Sequence, residues 1–153
     1  MKIEVIERLK VTLVTQEGTR LKPYLDCCGQ YWRNCTCKEK GKLTIGNGRN
    51  LDDNGIRISE SIIMRDNDIN DVVEGLNIAI PWINNLDDAR QYVLLNMGFN
   101  LGVHGLLVWT NFLTMIKGGD YKKASEHMMG QKWARQVGPR AEYLAKVMET
   151  GQF

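Results

Sequence analysis

The sequence predicts an α+β chain with a small β-containing N-terminal lobe and a larger helical C-terminal lobe. Three observations predict it. Apolar residues at the N-terminus follow helical spacing, the stretch from Thr19 to Arg57 is glycine-rich with short β-prone runs, and helical patterning resumes after Arg57. One domain is expected over 1–153: a first helix over 1–16 packing on the helical lobe, a β lobe over 17–57 and a helical lobe over 58–153.

Ile3, Ile6, Leu9, Leu13 and Val14 form one face of an amphipathic helix that ends near Glu17-Gly18. Pro23 excludes a helix just beyond. Lys42-Leu43-Thr44-Ile45 reads as a strand of a small antiparallel sheet. Ser59 is placed to cap the next helix, whose apolar face is Ile62, Ile63, Ile69, Val72, Val73 and Leu76 and which Pro81 stops. Asp87 or Asp88 opens another, running through Val93 and Met97 to the Gly102 region. Helices over Leu106–Lys117 and Tyr121–Met128 flank the break at Gly118-Gly119. A last one begins at Pro139, where the missing N–H is harmless. Met97, Met115, Met128 and Met129, with Trp82, Trp109 and Trp133, are expected in or near the core.

Of the 153 residues, 43% are hydrophobic and 25% charged, enough apolar material for a core and against disorder. Twenty Lys and Arg against 18 Asp and Glu leave a net charge of +2, which argues against nucleic acid as the partner. No run reaches the roughly 18–20 apolar residues of a membrane span, so stable membrane insertion is not expected. The first ten residues alternate charge and apolarity, unlike a signal peptide. His104 and His127 are too isolated to suggest a metal site, and no cofactor is expected. The chain is expected to be a monomer.

Two segments carry chemistry. Glu17 and Asp26 lie nine residues apart, across the end of a helix and into a strand. Glycoside hydrolysis needs such a pair: a protonated carboxyl for the leaving oxygen, and a carboxylate that activates water or attacks the sugar. In Leu43-Thr44-Ile45-Gly46-Asn47-Gly48-Arg49, the glycines flanking Asn47 permit turns and close ligand approach. Thr44 supplies a hydroxyl able to position water. A phosphate-binding loop fits poorly, because no helix follows these glycines directly.

Glu17-Gly, then Asp26, then Thr44-Ile-Gly-Asn-Gly resembles the active-site signature of phage-type lysozymes of the T-even kind, glycoside hydrolase family 24. Asn96-Met97-Gly98-Phe99-Asn100-Leu101-Gly102, Asn111-Phe112 and Trp133 through Ala141 resemble later family segments in the same order. The resemblance implies the lysozyme-like fold with an active-site cleft between the lobes. It also implies cleavage of the β-1,4 bond between N-acetylmuramic acid and N-acetylglucosamine in bacterial peptidoglycan. By position, Glu17 is the general acid, Asp26 supports the attacking water or the oxocarbenium charge, and Thr44 places that water. Arg140 matches an arginine that holds the catalytic Glu; Asn47 and Arg49 are expected to support the site or touch substrate. Inversion is expected, with a carboxyl separation of about 6.5–9.5 Å.

The chain departs from the family in two places. Seventeen residues separate Asp26 from Thr44, far more than usual, and a shifted alignment would substitute Asp52 or Asp53 for Asp26. Arg49 stands where a histidine commonly follows the glycines.

All four cysteines fall in the extra segment, an insert over 27–41: Cys27-Cys28-x6-Cys35-x-Cys37. Disulfides joining the two clusters come first among the expectations, with reduced packing thiols and zinc on four thiolates as alternatives. Tyr31 and Trp32 offer rings for sugar stacking or a cap over exposed sheet. The leading functional expectation is an endolysin, held in the host cytoplasm until the membrane is permeabilised and then acting in the periplasm. The alternatives are a virion-associated lysozyme that opens the wall during entry, a non-catalytic wall- or metal-binding module and, distantly, a nucleic-acid zinc module.

Overall fold

The computed structural model describes residues 3–153 and divides into two compact units, one through Ser61 and one from Ile62 to Phe153. The expected α+β class holds.

The first unit opens with helix α1 (Ile3–Glu17), followed by strands β1 (Arg20–Leu25), β2 (Leu43–Gly46) and β3 (Arg49–Asn50) and the single-turn helix α2 (Leu51–Asn54). The strands form one antiparallel sheet in the order β1-β2-β3. Tyr24 faces Thr44 and Leu25 faces Leu43, while Thr44 faces Asn50 on the other side. Between β1 and β2 the chain is irregular, with a 3-10 turn at Trp32–Asn34 and one bridge from Tyr31 back to Tyr24. Asn50 caps α2 by accepting the Asp53 N–H.

Helix α3 (Ile58–Ala79) starts one residue before the expected cap, Ser59. The capping is done from inside the helix. Glu60 reaches back to accept the Arg57 N–H at 2.6 Å, the reciprocal arm of a capping box.

In the second unit α3 is followed by a 3-10 turn at Pro81–Asn85 and by helices α4 (Asp88–Leu101), α5 (Val103–Leu107), α6 (Thr110–Lys117), α7 (Tyr121–Gly130), α8 (Lys132–Val137) and α9 (Pro139–Thr150). Asp87 caps α4 by accepting the Arg90 N–H at 3.0 Å. The single helix expected over Leu106–Lys117 is two. A tight turn from the Trp109 N–H to the Leu106 carbonyl closes α5, and Trp109 then sets its ring edge-on to Phe112 and Trp133.

The helices bury a continuous core whose centre includes Leu76, Leu94, Phe112, Ile116 and Leu144. Met97 and Met128 are fully buried, Met115 packs at the margin, and Met129, one helical step on from Met128, faces solvent. Trp133 is buried and donates to Asn100; Trp82 and Trp109 pack on the core from its edge. Arg90 joins α4 to the end of α9. It donates to the Met148 and Glu149 carbonyls at 2.9 and 3.0 Å and lies 3.6 Å from the centre of the Tyr121 ring. A cation there meets the negative end of the α9 dipole. Among the described residues no helix is long and apolar enough to cross a membrane.

Candidate active site

The first unit holds most of the residues that the sequence singles out. Glu17 is the last residue of α1, which closes with the Gly18 N–H on the Val14 carbonyl. The turn between β2 and β3 is fastened to this helix end by Asn47, whose amide donates to the Gly18 carbonyl at 2.6 Å and to the Thr19 hydroxyl at 3.0 Å. This clamp brings Gly48, at φ +85°, alongside the Glu17 carboxylate; a Cβ at Gly48 would lie 3.7 Å from Glu17 Oε2. Glycine suits the position by its backbone angle, while the carboxylate lies at ordinary contact distance.

Asp26 sits where the β1–β2 ladder runs out. Its N–H donates to the Lys42 carbonyl at 3.1 Å, and its Oδ1 accepts the Lys42 N–H at 2.8 Å. The Thr44 hydroxyl donates to the same Lys42 carbonyl at 3.1 Å. One peptide carbonyl therefore joins Asp26 to Thr44. Thr44 is only 4% exposed and, with Leu25, is one of the two buried residues among 3–61. Gly41 makes the Asp26 contact feasible, since a Cβ there would fall 1.9 Å from Asp26 Oδ1 and 2.6 Å from the Cys27 nitrogen. Neither Gly41 nor Lys42 was singled out in the sequence. A glycine one residue before a β-prone run was the available signal.

The neighbouring acids are engaged differently. Asp52 accepts the Leu43 N–H at 2.9 Å through one oxygen. Asp53 uses both oxygens, one on the Lys42 ammonium at 2.8 Å and one on the Asn50 amide at 2.8 Å. The Lys42 hydrogen bond holds the Asp53 carboxyl below its usual range, and Asp53 holds the Lys42 ammonium above its own. Asp53 is thus committed to structure, whereas Asp26 keeps Oδ2 without a partner among the described residues.

Arg49 braces the unit. Its Nε donates to the Gly55 carbonyl at 2.8 Å and its guanidinium pairs with Glu60 at 3.0 Å. Tyr31 and Trp32 are 40% and 41% exposed, their rings tilted at 5.9 Å, with the Arg33 guanidinium 4.8 Å from the Trp32 ring centre. Tyr31 also borders an open recess with Arg20, Pro23 and Tyr24, where the Arg20 guanidinium lies over the Tyr24 ring and donates to the Gly29 carbonyl.

The four cysteines are free thiols gathered at one place, every Sγ within 4.8 Å of the others. Hydrogen bonds from the other three push the Cys37 thiol up to about 12. A backbone N–H from Cys37 lowers Cys35. Cys28 is raised, although the Gln30 N–H works against the rise.

Arg140 belongs to the second unit. At the start of α9 its Nε donates to Asn96 Oδ1 at 2.9 Å. Both residues line an apolar recess of about 360 Å³ with Arg65, Tyr92 and Phe99.

No known family profile matches the chain. Comparison with individual proteins is more informative. The chain is 26% identical to probable T4-type lysozyme 1 and 24% identical to probable T4-type lysozyme 2, both of Dictyostelium discoideum. Each alignment runs over 164 positions and takes in 96% of either chain. A shorter stretch of 63 positions is 33% identical to the pre-baseplate central spike protein Gp5 of Enterobacteria phage T4, covering 41% of this chain and 11% of that protein. The similarity to the two Dictyostelium discoideum proteins runs nearly end to end.

Proposed function

We propose that this chain is a muramidase of the glycoside hydrolase family 24 type that hydrolyses the β-1,4 bond between N-acetylmuramic acid and N-acetylglucosamine in bacterial peptidoglycan, and that it serves as an endolysin in host cell lysis. One observation carries the reading. Glu17, Asp26 and Thr44 stand in the family's order within one compact unit, and Asp26 and Thr44 share the Lys42 carbonyl.

In the reaction, Glu17 donates its proton to the glycosidic oxygen as the bond to the anomeric carbon breaks. Asp26 takes a proton from the water whose oxygen forms the new bond to that carbon, and Thr44 positions this water. Proton uptake at Asp26 and release at Glu17 balance, so one water is consumed per bond cut, with inversion. The enzyme waits in the host cytoplasm and reaches the wall once the membrane is permeabilised.

The assay is loss of turbidity of outer-membrane-permeabilised Gram-negative cells. Glu17→Gln, which keeps shape but has no acidic proton, is expected to lose at least about 100-fold in rate. Equal clearing by the variant and the parent overturns the assignment. Asp26→Asn and Asp52→Asn, assayed side by side, identify the second carboxylate: a harmless Asp26→Asn moves the role to Asp52.

The shared stretch with a phage spike protein supports a second reading, a lysozyme carried on the virion and used during infection. Antibody detection of the chain in purified virions distinguishes the two roles.

A further inference from the structure

The insert between Asp26 and Thr44 lacks the usual means of holding a loop. No residue from Asp26 to Lys42 is buried, and the segment's regular structure is one 3-10 turn and one bridge. A stretch of that length without a core needs a staple or stays loose. Its four cysteines are the chain's whole complement.

We propose that Cys27, Cys28, Cys35 and Cys37 form a tetrathiolate site for one zinc ion that fastens this insert. The separations among Cys27, Cys28 and Cys35 sulfurs are 3.9, 3.7 and 3.6 Å, and Cys37 Sγ joins them with all four inside 4.8 Å. A tetrahedral zinc with bonds of about 2.3 Å to sulfur has sulfur–sulfur edges of about 3.8 Å. Two disulfides would instead gather the sulfurs in two separate pairs. Here three of them are nearly equidistant, an arrangement that surrounds one point.

One further feature suits thiolates at this place: the charge balances. From Asp26 to Lys42, four cationic side chains (Arg33, Lys38, Lys40, Lys42) stand against Asp26 and Glu39, leaving two positive charges. A zinc ion on four thiolates carries two negative charges. Four thiols lose their protons to solvent as the ion binds, and no oxidant is required. The histidines lie on α5 and α7 of the second unit, so the first unit has no imidazole of its own to offer. Zinc so held would fix the segment that runs between Asp26 and Lys42, which makes it a positioning element for that pair.

The test uses the full chain, purified anaerobically from zinc-supplemented cells. Elemental analysis is expected to find one zinc per chain, and a mercurial titration to release it as the four thiols react, read with a metallochromic dye. Cobalt exchanged for zinc should give thiolate-to-metal charge transfer and the intense visible bands of a tetrahedral ion. Both signals belong to this cluster, because the chain has no other cysteine. The fourfold Cys→Ser variant should hold none. Four free thiols with no metal after zinc dialysis overturn the proposal, and so does an intact mass four hydrogens low, the mark of two disulfides. These readouts concern the wild-type chain and its metal alone, so they stand apart from the success or failure of the muramidase reading.

Discussion

The two units are built on different principles. The helical unit surrounds one continuous core with Phe112, Leu94 and Leu144 at its centre, and its polar contacts, such as Arg90 on the end of α9, trim a structure that burial already holds. The sheet unit has Leu25 and Thr44 as its only buried residues among 3–61. It is held by strand pairing and by side chains bonded to backbone. Burial is non-directional and spreads over many residues, so a core tolerates local adjustment. A unit held by directional bonds depends on a few groups being in place. The hydrolysis proposed for this chain asks for placed groups, and the proposed acids Glu17 and Asp26 lie in the unit of the second kind.

This contrast is open to attack. The largest effect should come from the core: Phe112→Ala removes a fully buried ring and is expected to cost about 3–5 kcal/mol, read by urea unfolding of the helical signal. A cost near zero would mean the helical unit is not core-held.

Next in size is Gly41→Ala. The added Cβ collides with Asp26 Oδ1 and the Cys27 backbone, and relieving it should cost about 1–3 kcal/mol within the sheet unit. Amide exchange at Lys42 should accelerate while α4 to α9 keep their protection. Uniform acceleration through both units would erase the distinction drawn between them.

The smallest is the cap of α4. Asp87→Ala is expected to cost about 1 kcal/mol. Burial disfavours the charged Asp87 carboxyl, but the Arg90 backbone N–H and guanidinium outweigh it and hold it below its usual range. The sign follows from that depression. The ionised form's stabilisation is full above the unfolded carboxylate value of about 3.9 and is lost as pH falls through the lower folded value. The melting temperatures of wild type and Asp87→Ala should therefore converge in acid. Asp87→Asn, which caps without titrating at this site, should not lose its cap contribution over the same range.

Much of the helical unit was readable from the sequence. The Asp87 cap, the Pro139 start and the face through Val72 and Leu76 are local signals, spaced within a turn or two. The break at Val108–Trp109 was not, because it depends on Trp109 packing against Trp133, far along the chain. Glu60 displaced Ser59 as the cap of α3 since its longer side chain reaches back to the Arg57 N–H. In the candidate site the sequence proposes Glu17, Asp26 and Thr44 by their order, whereas the partners of these residues were not legible in it. Asn47 bonds to Gly18 across 29 positions, and Lys42 meets Asp26 across 16.

By itself, then, the sequence determined the α+β class and the helical periodicities and proposed the two carboxylates with their threonine, all readings of residue type and short-range order. Only the tertiary structure decided that Lys42 links Asp26 to Thr44, that Asn47 clamps the turn beside Glu17 and that four sulfurs gather within 4.8 Å of one another. The physical reason is strand register. The pairing of β1 with β2 determines which distant residues face one another, and side-chain spacing along a single strand carries no record of that choice.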